Sequence, residues 1–224
     1  MNTFVILCGG LGSRFQKVTS KLPKILIEIK PGITMLDWLV EEYLPQNSHI
    51  ILATGHLKDL IKDYVSQKCY KNILFSPEEK KLGTGGALIN ASKLISNDDF
   101  IAINGDTIQQ LKIQSFLKKS RLLKEDVINV GCTTSDFDDS GKILVDSEKY
   151  IISFTEKISP KKLFNQKQKE CSSLGIYRCK TEFFQSLSIE NKSLESEIIP
   201  YLVKSRKARA SIFNDKFFDF GTFE

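Results

Sequence analysis

The chain has 224 residues, 41% of them hydrophobic, and a formal net charge of +5. This length suits one α/β domain with a sizeable core, and we expect a single domain over residues 1–224. The mild, dispersed charge excess excludes the concentrated basic face of nucleic-acid-binding proteins and fits anionic small molecules. No secretory pattern and no apolar run near the ~18 residues of a membrane span is present. The five cysteines form no Cys-x-x-Cys pair, so we expect buried, reduced thiols in a cytoplasmic protein that binds neither nucleic acid nor membrane.

Apolar runs alternate with helical patterns through the first half of the chain. Strands are predicted at 3–8, 49–53, 72–76 and 99–104, and helices at 34–44, 57–66, 85–95 and 112–123. Strands separated by helices of this length predict right-handed βαβ units and a mostly parallel, Rossmann-like sheet flanked by helices. Ligands of such α/β sheets collect beyond the carboxyl ends of the strands. Three chemically rich segments fall there: 9–24, 77–86 and 104–107.

The second half has a different pattern, with strands separated by little helix. Strands are predicted at 127–132, 142–145, 150–155 and 171–177, which indicates a small antiparallel extension of the sheet. Residues 157–170 are rich in lysine and glutamine and predict an exposed loop. Helices are predicted at 180–187 and 193–204, followed by a hairpin-like pair of strands at 208–213 and 216–219.

The most informative motif directly follows the first predicted strand. It reads Leu7-Cys8-Gly9-Gly10-Leu11-Gly12-Ser13-Arg14, and Pro23-Lys24 comes ten residues later. The glycines let bare backbone N–H groups meet phosphate oxygens, while Arg14 and Lys24 supply positive charge. A dinucleotide fingerprint is excluded because Phe15 stands where its third glycine belongs, and the Gly-Lys-Ser/Thr of a P-loop is missing.

This Gly-Gly-x-Gly-Ser-Arg and Pro-Lys pattern resembles the signature of the sugar-1-phosphate nucleotidyltransferases. The resemblance covers residues 4 to 222. The chain is similar to bacterial heptose-1-phosphate guanylyltransferases in three motifs: Leu82-Gly83-Thr84-Gly85-Gly86-Ala87, Asn104-Gly105-Asp106-Thr107 and Lys207-Ala208-Arg209-Ala210. It implies transfer of a nucleoside monophosphate from a nucleoside triphosphate, with GTP favoured, to a sugar-1-phosphate, with heptose-1-phosphate favoured. It further implies a nucleotide-binding half of about 1–110 and a sugar-phosphate-binding half of about 111–224. We expect a monomer or a homodimer.

Two aspartates are candidate metal ligands. Asp106 follows an apolar strand, where a carboxylate is well placed to hold Mg²⁺ together with substrate phosphates. From the residues alone, a polar Gly-Asp turn is the alternative. In the resembled family the Asp of this Gly-Asp pair binds the metal, and the Asp of a late Asp-x-Gly-Thr, here Asp219, is the second ligand. The resemblance therefore implies Mg²⁺, with Mn²⁺ as the alternative ion.

The resemblance also assigns the remaining site residues. Arg14 is expected at the leaving pyrophosphate, Lys24 at the α-phosphate and the acceptor phosphate, and Lys157 at the acceptor phosphate. Nucleotide contacts are expected from Leu7, Gly9, Gly10, Gly12, Ser13, Glu78, Gly83, Thr84, Gly86 and Asp106. Contacts with the acceptor are expected from Asn104, Glu156, Ser173 and Gly175. From the residues alone, Thr84 can instead cap a helix and Glu156-Lys157 can be a surface ion pair.

One departure from the family pattern lies on the expected sugar side. Ser173-Leu174 stands where the family usually has Asn-Gly, so we expect an altered preference for the sugar. Two other functions stay open from the sequence. One is a nucleotidyltransferase for a non-sugar phosphate, such as a choline-type or amino-acid-type phosphate. The other is a catalytically silent nucleotide-binding module that regulates a pathway enzyme, against which the presence of Arg14, Lys24, Asp106 and Asp219 argues.

Overall fold

A computed structural model describes residues 1–10, 22–135, 141–155 and 168–215, together with the backbone of 217–219. The strands of the first half are β1 (Thr3–Leu7), β2 (Glu28–Lys30), β3 (Ile33–Thr34), β4 (His49–Thr54), β5 (Ile73–Pro77), β6 (Asp99–Asn104) and β7 (Thr107–Gln109). Those of the second half are β8 (Ile128–Thr133), β9 (Lys142–Val145), β10 (Ile151–Thr155), β11 (Lys169–Lys180), β12 (Ala208–Phe213) and β13 (Phe217–Asp219).

The helices flank this sheet and follow the predicted positions closely. They are α1 (Met35–Asp37), which continues as a π-helical stretch (Trp38–Tyr43), α2 (Lys58–Gln67), α3 (Gly83–Ser92), α4 (Ile113–Lys119), α5 (Thr181–Ser186) and α6 (Ile199–Lys204), which follows a second π-helical stretch (Leu194–Ile198). A 3₁₀ turn covers Lys24–Leu26. Among the described residues, every helix is too short or too polar to span a bilayer.

Strand β1 lies at the centre of a nine-stranded sheet. It pairs in parallel with β4 on one side and with β6 on the other, and β5 continues the parallel part beyond β4. Strand β11 pairs antiparallel with β6 and leads to β8 and β9, and β10 forms the far edge. The predicted parallel sheet with an antiparallel extension is therefore confirmed.

The predicted hairpin at the end of the chain is wrong. Strand β12 adds in parallel to β8, and β13 pairs antiparallel with β7 instead. The sequence marks both segments as strands, but their partners are distant in sequence and offer hydrogen-bonding edges that local pattern does not reveal. Most of the loop predicted at 157–170 lies outside the described residues, and its last two residues, Lys169 and Glu170, instead begin β11. The predicted helix at 85–95 begins earlier, at Gly83.

Two apolar cores cover the two faces of the central sheet. Along β1, Phe4 and Ile6 pack into one core and Val5 packs into the other, and all three side chains are fully buried. A parallel strand covered on both faces has no solvent side, which explains why it is continuously apolar. Three cysteines, Cys132, Cys171 and Cys179, are buried as predicted; Cys8 is partly exposed and Cys69 is exposed.

A buried carboxylate ties α1 to α2 and to the residues that follow α2. Asp37 accepts hydrogen bonds from the Thr34 backbone (2.9 Å) and from the hydroxyls of Tyr64 (2.7 Å) and Tyr70 (2.6 Å), and Lys68 lies 3.2 Å away. Burial opposes ionisation of Asp37, but these hydrogen bonds outweigh it and lower the pKa to about 2. The network therefore stabilises the fold through the ionised form.

We predict a pH-dependent loss of stability for Asp37→Asn. The pKa of about 2 in the folded state, against an ordinary 3.8, corresponds to roughly 2 kcal/mol of stabilisation above pH 4, which is lost as the pH falls from about 4 to 2. Urea unfolding at pH 7 and at pH 3 should show a gap between wild type and variant that narrows on acidification. Glu42→Gln, which removes an exposed pair with Lys30, serves as control and should change stability by less than about 0.5 kcal/mol. A gap that is independent of pH contradicts the assignment.

Candidate functional site

The carboxyl ends of β1 and β6 form one edge of the site. The backbone N–H of Gly105 donates to the carbonyl of Leu7 at 2.9 Å, and the N–H of Cys8 donates to the carbonyl of Ala53 at 3.1 Å. Parallel pairing therefore brings the start of the glycine motif beside the turn that carries Asp106. Burial raises the pKa of the Cys8 thiol and the Glu78 carboxylate adds to this effect, so the thiol stays neutral and donates to Ala53.

Lys24 and Asp106 meet at this edge. The Lys24 ammonium Nζ lies 3.1 Å from Asp106 Oδ2, and both side chains are partly exposed. The 3₁₀ turn that begins at Lys24 is anchored by Ile25 and Leu26, which are buried in the core. The structure thus brings together two residues that the sequence assigned to phosphate and metal binding from positions 82 residues apart.

Glu78 directly follows β5, which is separated from β1 by β4, and its side chain reaches the glycine motif. Its Oε2 accepts a hydrogen bond from the Leu82 N–H at 2.8 Å. Its Oε1 lies close to Gly9, because a Cβ added at Gly9 would be 2.6 Å from Oε1 and 3.2 Å from the Gly55 nitrogen. Burial raises the pKa of Glu78, and this outweighs the opposing effects of the Leu82 hydrogen bond and of Lys81. A half-buried carboxylate therefore stands directly beside Gly9.

The predicted acceptor residues lie where β6 meets β11. Gly175 adopts the left-handed φ of +66°, and a Cβ there would be 2.7 Å from the side-chain nitrogen of Asn104. Ser173 is nearly buried; its N–H donates to the Gly141 carbonyl at 2.8 Å, and its hydroxyl accepts from the Gly175 N–H at 3.3 Å. A bulge between Ser173 and Ile176 interrupts the pairing of β11 with β8. Asn104, Gly175 and Ser173 thus form one contiguous group.

Leu174, the other half of the departure from the family pattern, turns away from Ser173. Its side chain is fully buried in the core that also contains Phe116 and Ile176. Its carbonyl accepts a hydrogen bond from the side-chain amide of Gln109 in β7. The larger residue is therefore accommodated by core packing, and only Ser173 remains as a polar change near Asn104.

The second glycine turn, at the start of α3, packs against a distant segment. The Lys192 carbonyl accepts hydrogen bonds from the N–H groups of Gly85 (2.9 Å) and Gly86 (3.1 Å). A Cβ at Gly83 would lie 2.6 Å from the Lys192 carbonyl, and one at Gly86 would lie 2.1 Å from the Glu190 carbonyl. These contacts give the glycines a packing role. Their contact with a nucleotide stays a prediction.

Thr84 does not cap α3, because Leu82 is the capping position. The Thr84 hydroxyl donates to Glu195 Oε2 at 2.6 Å and accepts from the Leu194 N–H at 2.9 Å. The helix-capping alternative for Thr84 is therefore wrong, and the side chain joins the same distant segment that the glycines contact.

Several predicted residues lie outside the part of the chain that the structure describes. They are Gly12, Ser13, Arg14, Glu156 and Lys157. Gly10 is described and exposed. For Asp219 only the backbone is described, and the register of β13 places it opposite Thr107, one residue after Asp106. The backbone of Asp219 in β13 thus lies opposite the residue that follows Asp106 in the chain.

Comparison with known proteins decides the family. The family described as "Nucleotidyl transferase" matches residues 3–224. The chain belongs to the nucleotidyl transferase family. A D-glycero-alpha-D-manno-heptose 1-phosphate guanylyltransferase of Campylobacter jejuni subsp. jejuni is 32% identical over 223 residues, which cover 97% of this chain and 93% of the relative. The resemblance inferred from the motifs is therefore confirmed.

A second relative and a solved structure agree with this membership of the nucleotidyl transferase family. A protein of the same name from Aneurinibacillus thermoaerophilus is 26% identical over 97% of this chain and 92% of the relative. The crystal structure of HddC from Yersinia pseudotuberculosis complexed with GMP-PN matches with a TM-score of 0.77 at 29% identity, covering 99% of this chain and 95% of that chain. The fold is therefore that of a nucleotidyl transferase over its whole length.

Sequence reasoning missed two residues of this nucleotidyl transferase site. Gly55 approaches Gly9 so closely that a Cβ at Gly55 would lie 2.9 Å from the Gly9 carbonyl. Glu195 accepts hydrogen bonds from Thr84 and from Tyr177. A glycine directly after a buried strand was the available signal for Gly55. Glu195 gave no distinct signal, because an acidic residue in the first turn of a helical segment is ordinarily explained by the helix dipole.

We predict that Gly86→Ala destabilises the protein. Alanine is a better helix former than glycine by about 1 kcal/mol. If Gly86 were loosely packed, the alanine variant would therefore be more stable than the wild type. A Cβ 2.1 Å from the Glu190 carbonyl requires the backbone to shift, and overpacking of this kind costs roughly 1–3 kcal/mol. Thermal unfolding should show a lower midpoint. The control Ser66→Ala, at an exposed position of α2, should leave the midpoint unchanged or raise it, and a midpoint for Gly86→Ala at or above wild type contradicts the packing role.

Proposed function

We propose that this chain transfers a nucleoside monophosphate from a nucleoside triphosphate, with GTP favoured, to a sugar-1-phosphate, with heptose-1-phosphate favoured. Pyrophosphate is the second product. The observation that carries the proposal is the Lys24–Asp106 pair, with 3.1 Å between charged atoms, directly beside the start of the glycine motif. In a member of the nucleotidyl transferase family, a cation and a carboxylate at this point support the binding of a triphosphate, whose oxygens the N–H groups of a glycine-rich turn can meet.

The reaction needs no nucleophile from the protein. An oxygen of the acceptor phosphate attacks the α-phosphorus, a new P–O bond forms, and the bond from the α-phosphorus to the pyrophosphate oxygen breaks. Catalysis then consists of positioning the two substrates and neutralising charge. Lys24 is proposed to hold the α-phosphate and the acceptor phosphate. Arg14 is proposed at the leaving pyrophosphate and Lys157 at the acceptor phosphate, both by family resemblance.

The residues at the site fit a divalent cation, which this family generally uses. Asp106 presents a partly exposed carboxylate that already pairs with the cation of Lys24, and the β13 register brings the Asp219 backbone opposite Thr107. Carboxylate oxygens are the ligands that Mg²⁺ prefers, together with substrate phosphates. Asp106 and Asp219 would hold Mg²⁺, or Mn²⁺ in its place, and the bound ion would neutralise charge on the triphosphate.

The choice of GTP is supported by relatives and by Glu78. The two relatives are guanylyltransferases by name, and HddC was crystallised with GMP-PN. A carboxylate can accept hydrogen bonds from the ring N–H and the exocyclic amine of guanine. Glu78 Oε2 is engaged by the Leu82 N–H, which leaves Oε1, beside Gly9, as the oxygen proposed to accept from the base.

The choice of a heptose or similarly modified sugar is supported by the same relatives and by Ser173. Ser173 adjoins Asn104 through Gly175, and it is shorter than the asparagine usual in the family. When a buried sugar hydroxyl loses its hydrogen-bond partner, binding weakens by roughly 1–3 kcal/mol, which is enough to change the preferred sugar. We further propose that this protein is a cytoplasmic enzyme that acts on small molecules as a monomer or a homodimer.

We predict that Asp106→Asn lowers turnover by about 10²-fold or more, because one anionic ligand is lost from a preorganised electrostatic site. The thermal midpoint should change little, since the Lys24–Asp106 pair is partly exposed. Pyrophosphate release measured with and without excess EDTA tests both statements. Asp98→Asn, an exposed carboxylate just before β6, is the matched control and should keep wild-type turnover. Wild-type turnover of Asp106→Asn, or an undiminished rate in excess EDTA, would contradict the assignment of Asp106 as a metal ligand.

We predict that a panel of substrates will separate the functions left open by the sequence. Steady-state pyrophosphate release should be highest with GTP and a heptose-1-phosphate, and weak with mannose-1-phosphate. A preference for CTP or UTP contradicts the base assignment, and efficient use of mannose- or glucose-1-phosphate contradicts the sugar assignment. Turnover only with choline-type or amino-acid-type phosphates would establish the non-sugar alternative. Nucleotide binding without turnover of any pair would establish the regulatory module.

A further inference from the structure

An unassigned polar cluster lies around Glu195, between the first turn of α3 and β11. Glu195 Oε2 accepts hydrogen bonds from the hydroxyls of Thr84 at 2.6 Å and Ser193 at 3.3 Å. Its Oε1 accepts from the Tyr177 phenol at 3.3 Å. The Thr84 hydroxyl in turn accepts from the Leu194 N–H at 2.9 Å. One carboxylate therefore links a turn of the nucleotide half to the strand that carries the predicted acceptor residues.

Glu195 is surrounded by hydrogen-bond donors, as expected of a residue that holds two elements together rather than of an exposed surface charge. The Glu195 side chain is half-buried, and it forms no salt bridge with any described residue. Burial and the nearby Glu195 carboxylate raise the pKa of Tyr177, so this phenol stays protonated and remains a donor. Tyr177 lies on β11, the strand that also carries Ser173 and Gly175. The chain of contacts thus runs from Thr84 through Glu195 and Tyr177 to the acceptor side.

The backbone contacts around this chain are equally tight. The Leu82 carbonyl accepts from the Lys192 N–H at 2.8 Å, and the Lys192 carbonyl accepts from Gly85 and Gly86. These bonds fix the segment before Glu195 against α3 but reach no residue of β11. The Glu195 side chain forms the hydrogen bond with Tyr177 of β11.

We propose that Glu195 is a positioning residue that fixes the first turn of α3 against β11 and thereby aligns the nucleotide with the acceptor. This inference rests on the proposed function, because it concerns the alignment of the two substrates of that reaction. In-line displacement requires the acceptor oxygen and the α-phosphorus to be held close together, and a displacement of about 1 Å can cost 10²-fold in rate. Loss of Glu195 therefore lowers kcat more than it raises either KM.

The kinetic test compares two glutamates of one segment. Glu195→Ala should lower kcat about 10- to 100-fold while KM for GTP and for the sugar phosphate each change less than about 3-fold. Glu195→Gln should keep a higher kcat than Glu195→Ala, because the glutamine amide oxygen can still accept a hydrogen bond from a hydroxyl and its NH₂ can donate to the Tyr177 oxygen. The control is Glu197→Ala: Glu197 is exposed and accepts only from the Ser193 N–H among the described residues, at 2.7 Å. It should keep kcat near wild type.

Tyr177→Phe keeps the buried ring and removes only the hydroxyl, so it tests the link without a cavity in the core. We expect a smaller loss of kcat than in Glu195→Ala. The double variant should be no worse than Glu195→Ala alone, because both changes break the same link. Losses of kcat that simply multiply in the double variant would overturn the proposed chain of contacts.

Amide hydrogen exchange of the substrate-free protein tests the link without any turnover. Segments 83–87 and 173–178 should both exchange faster in Glu195→Ala and should be unchanged in Glu197→Ala. If the wild type transfers no nucleotide to any sugar phosphate, the proposed function fails, while the exchange measurement still tests the link. Unchanged exchange in both segments overturns the inference. So does a lowered thermal midpoint of Glu195→Ala with wild-type kcat and KM for the folded protein.

Discussion

The parallel pairing of β1 with both β4 and β6 determines where the functional groups of this protein meet. Because parallel strands place their carboxyl ends at one edge, the segments that follow β1 and β6 must emerge side by side. The hydrogen bond from the Gly105 N–H to the Leu7 carbonyl closes this edge at backbone level. Lys24 can reach Asp106 only because the 3₁₀ turn anchored by Ile25 and Leu26 returns to the same edge.

A second constraint joins the two halves of the chain. The start of α3 cannot pack against 190–195 unless position 86 is glycine, since any Cβ there would collide with a carbonyl of that segment. This contact brings Glu195 to Thr84, and β11 brings Tyr177 to the other side of the same carboxylate. Because β11 also pairs with β6, the nucleotide edge and the acceptor strand belong to one continuous sheet.

Local pattern was sufficient for most of the fold. The central strands are short, continuously apolar and separated by helical periodicity, so their positions and parallel order follow from burial on both faces. The sequence also predicts the position of Asp106 at the carboxyl end of a buried strand, and its role as a metal ligand stays a prediction. By contrast, strand β7 is only three residues long, and the partners of β12 and β13 depend on which sheet edges remain open after the rest has folded. No local signal carries that information.

The glycine-rich turn 82–87 shows the limit of motif reasoning. The motif correctly indicated the family, but its glycines are explained here by contacts with residues about 100 positions away, as for Gly86 with Glu190 and Gly85 with Lys192. A motif marks residues that cannot be exchanged without stating whether a ligand or the fold requires them. For Gly9, the missing side chain leaves room for the Glu78 carboxylate, and its contact with a nucleotide stays a prediction.

The Ser173-Leu174 departure illustrates how one change in sequence can divide into two physical effects. The bulge in β11 places Leu174 in the core and leaves Ser173 among polar groups. The volume of Leu174 is therefore taken up in the core that also contains Phe116, while the Ser173 hydroxyl accepts a hydrogen bond from the Gly175 N–H. Further along the same strand, Tyr177 donates to Glu195, which also accepts from Thr84 of α3. Strand β11 therefore carries two separate features, the polar change at Ser173 and the hydrogen-bonded connection to α3, and only the first of them departs from the family pattern.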